Sequence, residues 1–227
     1  MKKVTIVGAG KYGSMTALRV AEYDLVDSVV MTDIVDGLPQ GLALDMNQSR
    51  YVENFSSKII GTNDYEDTAD SDVVVITAGL PRKPGMTRMD LLEVNANIVS
   101  DVTKNILNFS KSPIIIVVTN PLDQMTMLVS QVSGLPKNKV IGQAGVLDTS
   151  RFAYFISEKF NVNMNEIEAL TLGRPGIESD DSSKCSALDS ETRPSLLWFN
   201  SSARTSSRNC AARFRSRDVS AVDKEEF

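Results

Sequence analysis

The sequence predicts an α/β protein built on a doubly wound parallel sheet, and three observations predict it. Short β-branched runs alternate with longer helical patterns over the first 145 residues. Two of those runs, "DVVVIT" and "PIIIVV", are apolar on both faces, as strands buried between helix layers must be. A glycine-rich turn stands between the first run and the first helical pattern. Strands alternating with helices at this spacing are joined by right-handed crossovers, which makes the sheet parallel.

In order, strands are expected at Lys3 to Val7, Ser28 to Asp33, Lys58 to Gly61, Asp72 to Thr77, Pro113 to Thr119 and Lys139 to Gly142. Helical stretches between them include Tyr12 to Glu22 and Asp90 to Phe109. "LDTSRFAYFISEKF", Leu147 to Phe160, places apolar residues at helical spacing, so a further helix follows the sheet. After about Leu172 the periodicity stops. Ser then recurs, Arg repeats in "RNCAARFRSR", and the apolar content falls toward a level that cannot offset ordering entropy. Residues 174–227 are therefore expected to be disordered or loosely collapsed.

Composition narrows the function classes. With 227 residues and 42% hydrophobic content the chain can bury a sizeable core. A formal net charge of −5 and a pI near 4.9 leave no basic field for holding nucleic acid. The apolar start, "VTIV", is too short for a secretory core, and no run reaches the eighteen or so apolar residues of a membrane span. Two cysteines, Cys185 and Cys210, fit a reducing cytoplasm better than a disulfide framework. No metal is expected.

"VTIVGAGKYGSMTAL" holds Gly8-Ala9-Gly10-Lys11-Tyr12-Gly13 between a strand and a helix. Gly8 permits a sharp turn, Gly10 lets the backbone approach a pyrophosphate, and Gly13 lets helix and strand pack closely. Amides at the helix start then face the anion. Asp33 closes the next strand twenty residues past Gly13, which completes the pattern of a Rossmann-type dinucleotide site. A carboxylate there accepts hydrogen bonds from a ribose diol and repels a 2′-phosphate, so NAD is favoured over NADP.

Beyond the fourth strand, "TAGLPRKPGMTRMDLLEVNANI" carries Arg82 and Arg88 on a segment shaped by Pro81, Pro84 and Gly85. Their guanidinium forks suit a planar carboxylate; the other reading is two solvated loop charges. Asn120, before Pro121, either bonds substrate and cofactor or shapes the turn. Asp148 and Arg151 stand three apart on one helical face. They form either a surface ion pair or a carboxylate that orients a catalytic base beside a substrate clamp.

Taken together, "VGAGKYGS", "DIVDGLPQGLALDM", "GTNDYEDTADSDVVVITAGLPRKPGMTR", "VTNPLDQMT" and "VIGQAGVLDTSRF" closely resemble the malate dehydrogenases of the lactate/malate dehydrogenase family, from Met1 to about Gly173. The resemblance implies a Rossmann-type NAD-binding domain over 1–145, followed over 146–173 by the start of an α+β substrate domain. It implies NAD contacts at Gly8 to Gly13, Asp33, Asn95, Val118, Thr119 and Asn120. It also implies that Arg82 reads the distal carboxylate of malate or oxaloacetate, where a lactate dehydrogenase typically has Gln. Arg88 then polarises the carbonyl, Arg151 pairs with the proximal carboxylate, and Asp148 orients a histidine. A homo-oligomer is the family's usual state. The family's Gly-Gly-His-Gly-Asp after "IEALTLG" reads here Gly173-Arg174-Pro175-Gly176-Ile177, with Pro175 at the histidine position, and the sequence contains no histidine. A frame-shifted reading beyond Gly173 is one explanation, with impaired turnover as its consequence; a non-catalytic NAD-binding remnant is the alternative.

Overall fold

The computed structural model describes residues 2–81, 84–172, 185–188, 196–201 and 209–214. The chain forms two compact units, Met1–Gln143 and Ala144–Phe227.

The first unit runs β1 (Lys3–Val7), α1 (Lys11–Glu22), β2 (Ser28–Thr32), α2 (Leu38–Glu53), β3 (Lys58–Thr62), β4 (Val73–Ile76), α3 (Arg88–Phe109), β5 (Ile114–Val117), α4 (Leu122–Ser133) and β6 (Val140–Gly142). Its six strands stand in the order β3-β2-β1-β4-β5-β6, and every pairing is parallel. The chain therefore winds outward from β1 in one direction, returns, and winds outward from β4 in the other. The carboxyl ends of β1 and β4 thus flank the switch point, where open α/β sheets bind their ligands.

Burial follows the sequence pattern. All five residues of β2 are buried, as are Val74, Val75 and Ile76 of β4. Ile6, Met31, Ile76 and Ile115 are fully buried at the sheet's centre. The expectation of burial on both faces is relaxed in β5, where Ile114 at the strand's start stays 38% exposed. Strands β2, β4 and β5 are shorter than their expected spans, and end residues such as Asp33 and Thr77 spend their side chains on the Val35 amide and the Val7 carbonyl.

Two further helices, α2 and α4, lie between the expected strands. In α2, Pro39, Gly41, Asn47 and Ser49 dilute the helical signal. The helix is held by tertiary contact, with Asn47 Nδ2 donating to the Ile59 carbonyl at 2.6 Å and Asn47 Oδ1 accepting from the Ile59 amide at 3.2 Å. In α4, Leu122, Met125 and Val129 are buried at helical spacing, so that signal was present in the sequence.

A reciprocal capping box starts α3: Thr87 Oγ1 accepts from the Asp90 amide at 3.2 Å, and Asp90 Oδ2 accepts from the Thr87 amide at 2.9 Å. The hydrogen bond from the Thr87 backbone, then that from its side chain, holds the Asp90 carboxyl below its ordinary range. A depressed folded value means this contribution is present above pH 3.8 and is lost as pH falls through the folded value. Thr87→Ala is expected to lower stability by about 1 kcal/mol in urea unfolding, without a change in the slope.

In the second unit, α5 (Gly145–Phe160) precedes β7 (Ile167–Leu172). Ala153, Ile156 and Ile167 form a small core, with Phe152, Phe160 and Val162 packed on it. Within the stretch expected to lack regular structure, β8 (Cys185–Leu188), β9 (Leu196–Ser201) and β10 (Asn209–Phe214) are described as strands. They join β7 in an antiparallel sheet of order β7-β10-β9-β8. "LLWFNS" and "NCAARF" are among the tail's apolar and aromatic runs, the composition that favours strand pairing. The rest of that expectation falls outside the described residues.

Candidate functional site

The parallel sheet brings the ends of β2, β1, β4 and β5 to one edge, and the residues that follow each strand are tied to one another there. Gly8, at φ 105°, turns the chain out of β1 through a conformation that favours glycine. Its amide donates to the Thr32 carbonyl at 2.8 Å. Gly10 then starts α1 with no side-chain cap, and a Cβ placed there would meet no atom within 4 Å. The helix start therefore presents uncapped amides to open space, which is what an anion requires. Gly13 is the opposite case: a Cβ on it would lie 1.8 Å from the Gly8 carbonyl oxygen and 2.8 Å from Thr77 Oγ1. Ala9 is buried, whereas Lys11 and Tyr12 are exposed on the first turn of the helix.

Asp33 stands one residue past β2, partly buried. Its Oδ2 accepts from the Ala9 amide at 2.6 Å and its Oδ1 from the Val35 amide at 3.0 Å. The acid is thus a structural member of the glycine loop. A carboxylate offers about four acceptor positions, so the two amides leave capacity for a diol.

Across the switch point, Thr77 Oγ1 donates to the Val7 carbonyl at 2.9 Å and lies 3.1 Å from the Gly8 carbonyl, fastening the end of β4 to the glycine turn. Sequence reasoning missed this residue. Its only signal was a hydroxyl ending an otherwise apolar strand. Val118 extends the ladder past β5, its amide donating to the Ile76 carbonyl at 3.0 Å. Thr119 is buried, and its hydroxyl donates to the Ala78 carbonyl at 2.7 Å. Asn120 is exposed and precedes a cis peptide bond to Pro121. Its carbonyl accepts from Asn95 Nδ2 at 2.7 Å. Gly8 to Gly13, Asp33, Asn95 and Val118 to Asn120 thus gather along one edge of one sheet. Arg82 lies outside the described residues. Arg88 is the first residue of α3, and its side chain falls outside the described residues.

The second unit carries the remaining candidates. In α5, Arg151 Nη1 stands 3.9 Å from Asp148 Oδ1, with side chains 59% and 26% exposed. A pair this long and this open contributes little to stability, so neither group is committed to the other. Thr149 Oγ1 accepts from the Thr171 amide at 3.1 Å, joining the end of β7 to α5 one residue from Asp148. Pro175 lies outside the described residues. No helix among the described residues is long and apolar enough to cross a membrane. No group of three or more Cys, Asp or Glu among them gathers to hold a metal ion.

Comparison with known proteins places this geometry. Residues 2–142 match the family described as lactate/malate dehydrogenase, NAD binding domain. A malate dehydrogenase of Pelodictyon phaeoclathratiforme is 55% identical over 174 residues, which cover 77% of this chain and 56% of that protein. A malate dehydrogenase of Parabacteroides distasonis is 50% identical over 177 residues, covering 78% and 56%. Among solved structures, a malate dehydrogenase from Salinibacter ruber superposes with a TM-score of 0.72 at 48% identity, covering 77% of this chain and 55% of the other. A lactate dehydrogenase from Cryptosporidium parvum, solved with lactic acid and nicotinamide adenine dinucleotide, gives 0.72 at 44% identity, with the same coverage. The chain thus spans a little over half the length of the relatives it matches. A sheet of order β3-β2-β1-β4-β5-β6, a glycine turn latched to Asp33, and relatives at this level of identity agree: the chain belongs to the lactate/malate dehydrogenase family, whose NAD-binding domain it carries.

Proposed function

We propose that the chain is built for NAD-dependent interconversion of malate and oxaloacetate. The observation that carries this reading is the start of α1 at the switch point, where the uncapped amides that follow Gly10, the open space at that glycine and the latched carboxylate of Asp33 lie together. Those groups fit NAD: the amides suit a pyrophosphate, and the spare acceptor capacity of Asp33 suits a ribose diol. When bound, NAD supplies the hydride acceptor. The chain's own residues hold and polarise the substrate. By the family resemblance Arg82 takes the distal carboxylate, Arg88 polarises the carbonyl, Arg151 pairs with the proximal carboxylate and Asn120 contacts both ligands. The naming of the relatives as malate dehydrogenases supports a dicarboxylate substrate.

A second reading has its own observation. Proton transfer to or from the substrate hydroxyl needs a group that titrates near neutrality, and Pro175 stands at the position that the resemblance gives to histidine. With no histidine elsewhere in the sequence, this chain is a holder of NAD with impaired turnover. One paired experiment tests both readings: an NADH fluorescence titration, and oxaloacetate-dependent NADH oxidation followed at 340 nm. NADH is expected to bind, with turnover lower by on the order of a hundred- to ten-thousand-fold than in a histidine-bearing relative. What turnover remains should favour oxaloacetate over pyruvate. Binding with turnover at the relative's rate overturns the impairment, and no binding of NADH at millimolar concentration removes both readings.

A further inference from the structure

We infer that Asn63 is a positioning residue that fixes the turn bearing Asp33, and that through Asp33 it helps set the preference for NADH over NADPH. The inference rests on the NAD-binding reading and says what holds the ribose end of that site. Asn63 follows β3 and is half-buried. Its Nδ2 donates to the Asp33 carbonyl at 2.7 Å and to the Val35 carbonyl at 2.9 Å. Its Oδ1 accepts from Gln40 Nε2 at 2.7 Å and from the Gly37 amide at 3.4 Å. A primary amide has two N–H donors and two acceptor positions, so all are engaged by this one turn and the helix it enters. Backbone groups of Asp33, Val35 and Gly37, alternate positions of the turn, thus point inward to a single side chain.

The turn has little apolar burial to hold it. Ile34 is 96% exposed and Val35 53%, and Asp36 and Gly37 are exposed as well. The neighbouring strand grips it at either end: the Asp33 amide donates to the Thr62 carbonyl at 3.4 Å, and a Cβ on Gly61 would stand 2.0 Å from the Pro39 carbonyl oxygen. Between those points the tie passes through Asn63. The Val35 amide in turn holds Asp33 Oδ1 at 3.0 Å, while the Ala9 amide holds Oδ2 at 2.6 Å. Fixing Val35 therefore fixes the direction of the carboxylate. A diol bonded by that carboxylate depends on direction, because hydrogen bonds do; a 2′-phosphate, which the charge only repels, does not.

Titration of the full chain with NADH and NADPH tests this. Absence of NADH binding in the wild type defeats the NAD reading itself, independently of Asn63. Binding without preference for NADH removes Asp33 from ribose recognition and overturns the inference. Given both, Asn63→Ala is expected to weaken NADH about five-fold and to leave NADPH within about two-fold. In an Asp33→Ala background the same substitution is expected to change NADH by less than about two-fold, because the group it aims is gone. An unchanged NADH to NADPH ratio overturns the inference, whether both affinities hold or both fall together, since equal loss marks general damage to the fold. A loss of about five-fold that persists in the Asp33→Ala background overturns it too, because Asn63 then acts by another route. Asn63→Ser is the second variant, should Asn63→Ala not fold. Its hydroxyl serves one carbonyl in place of two, so the ratio is expected to fall about three-fold, and a ratio at the wild-type value overturns the inference.

Discussion

Gly13→Ala is expected to weaken NADH binding by at least about a hundred-fold. The added Cβ would lie 1.8 Å from the Gly8 carbonyl oxygen, where real Cβ atoms essentially never come within 3.0 Å, so one of the two must move by more than an ångström. Neither is free to do so. The Gly8 amide is bonded to the Thr32 carbonyl, and Thr77 Oγ1, itself 2.8 Å from the same Cβ, holds the Val7 carbonyl. What yields is the turn between Gly8 and Gly10, or the seating of α1 on β1. Either displaces the amides that face the pyrophosphate, and an anion site built from fixed dipoles loses most of its strength when they are misaimed by that much. Overpacking at such a point also lowers stability by roughly 1–3 kcal/mol. An NADH titration and a thermal melt of the same variant check both effects. A loss of ten-fold or less would show that the turn can relax without cost to the ligand.

Asp33→Ala is expected to weaken NADH by about thirty- to a hundred-fold and to erase most of the preference for NADH over NADPH. Two contributions add. The first is internal: Oδ2 accepts from the Ala9 amide at 2.6 Å, and Ala9 is buried, so removal of the carboxylate leaves a buried N–H without its partner and loosens the glycine turn. The second follows from the proposed ligand role: the carboxylate proposed to accept from a ribose diol and to repel a 2′-phosphate is gone. Asp33→Asn separates them, because its amide oxygen still serves the Ala9 N–H while the charge is lost. It should retain more NADH affinity than Asp33→Ala and relax the discrimination as far. An NADH to NADPH affinity ratio that stays at the wild-type value in both variants would remove Asp33 from ribose recognition and leave it a loop latch only.

How much of this was legible beforehand differs from residue to residue. The glycine turn and Asp33 were legible because their pattern is local in sequence and their chemistry follows from residue type. A turn that needs glycine, a helix start and an acid closing the next strand recur at set spacing wherever this fold holds a dinucleotide. The parallel sheet was legible for a similar reason, since alternation of apolar runs and helical periods dictates it. Helix α2 was not, because its propensity is diluted by Pro39, Gly41 and Asn47 and its order comes from hydrogen bonds to β3. The strands β8, β9 and β10 lie in a stretch whose average composition argues against order, yet each is a short run able to pair with a neighbour.

Residue type and spacing alone determined the fold class and pointed to NAD, to Asp33 as the acid that would meet its ribose, and to Pro175 at the position the resemblance gives to histidine. Only the tertiary structure decided which backbone groups the polar side chains near the site bond. Asn95 reaches Asn120 across 25 residues, Thr119 reaches Ala78 across 41, and Thr77 reaches Val7 across 70. Each of these bonds forms because strands distant in the chain end side by side on the sheet. Hydrogen-bond capacity belongs to the residue, but its use depends on what the fold brings within about 3 Å, and no local pattern encodes that.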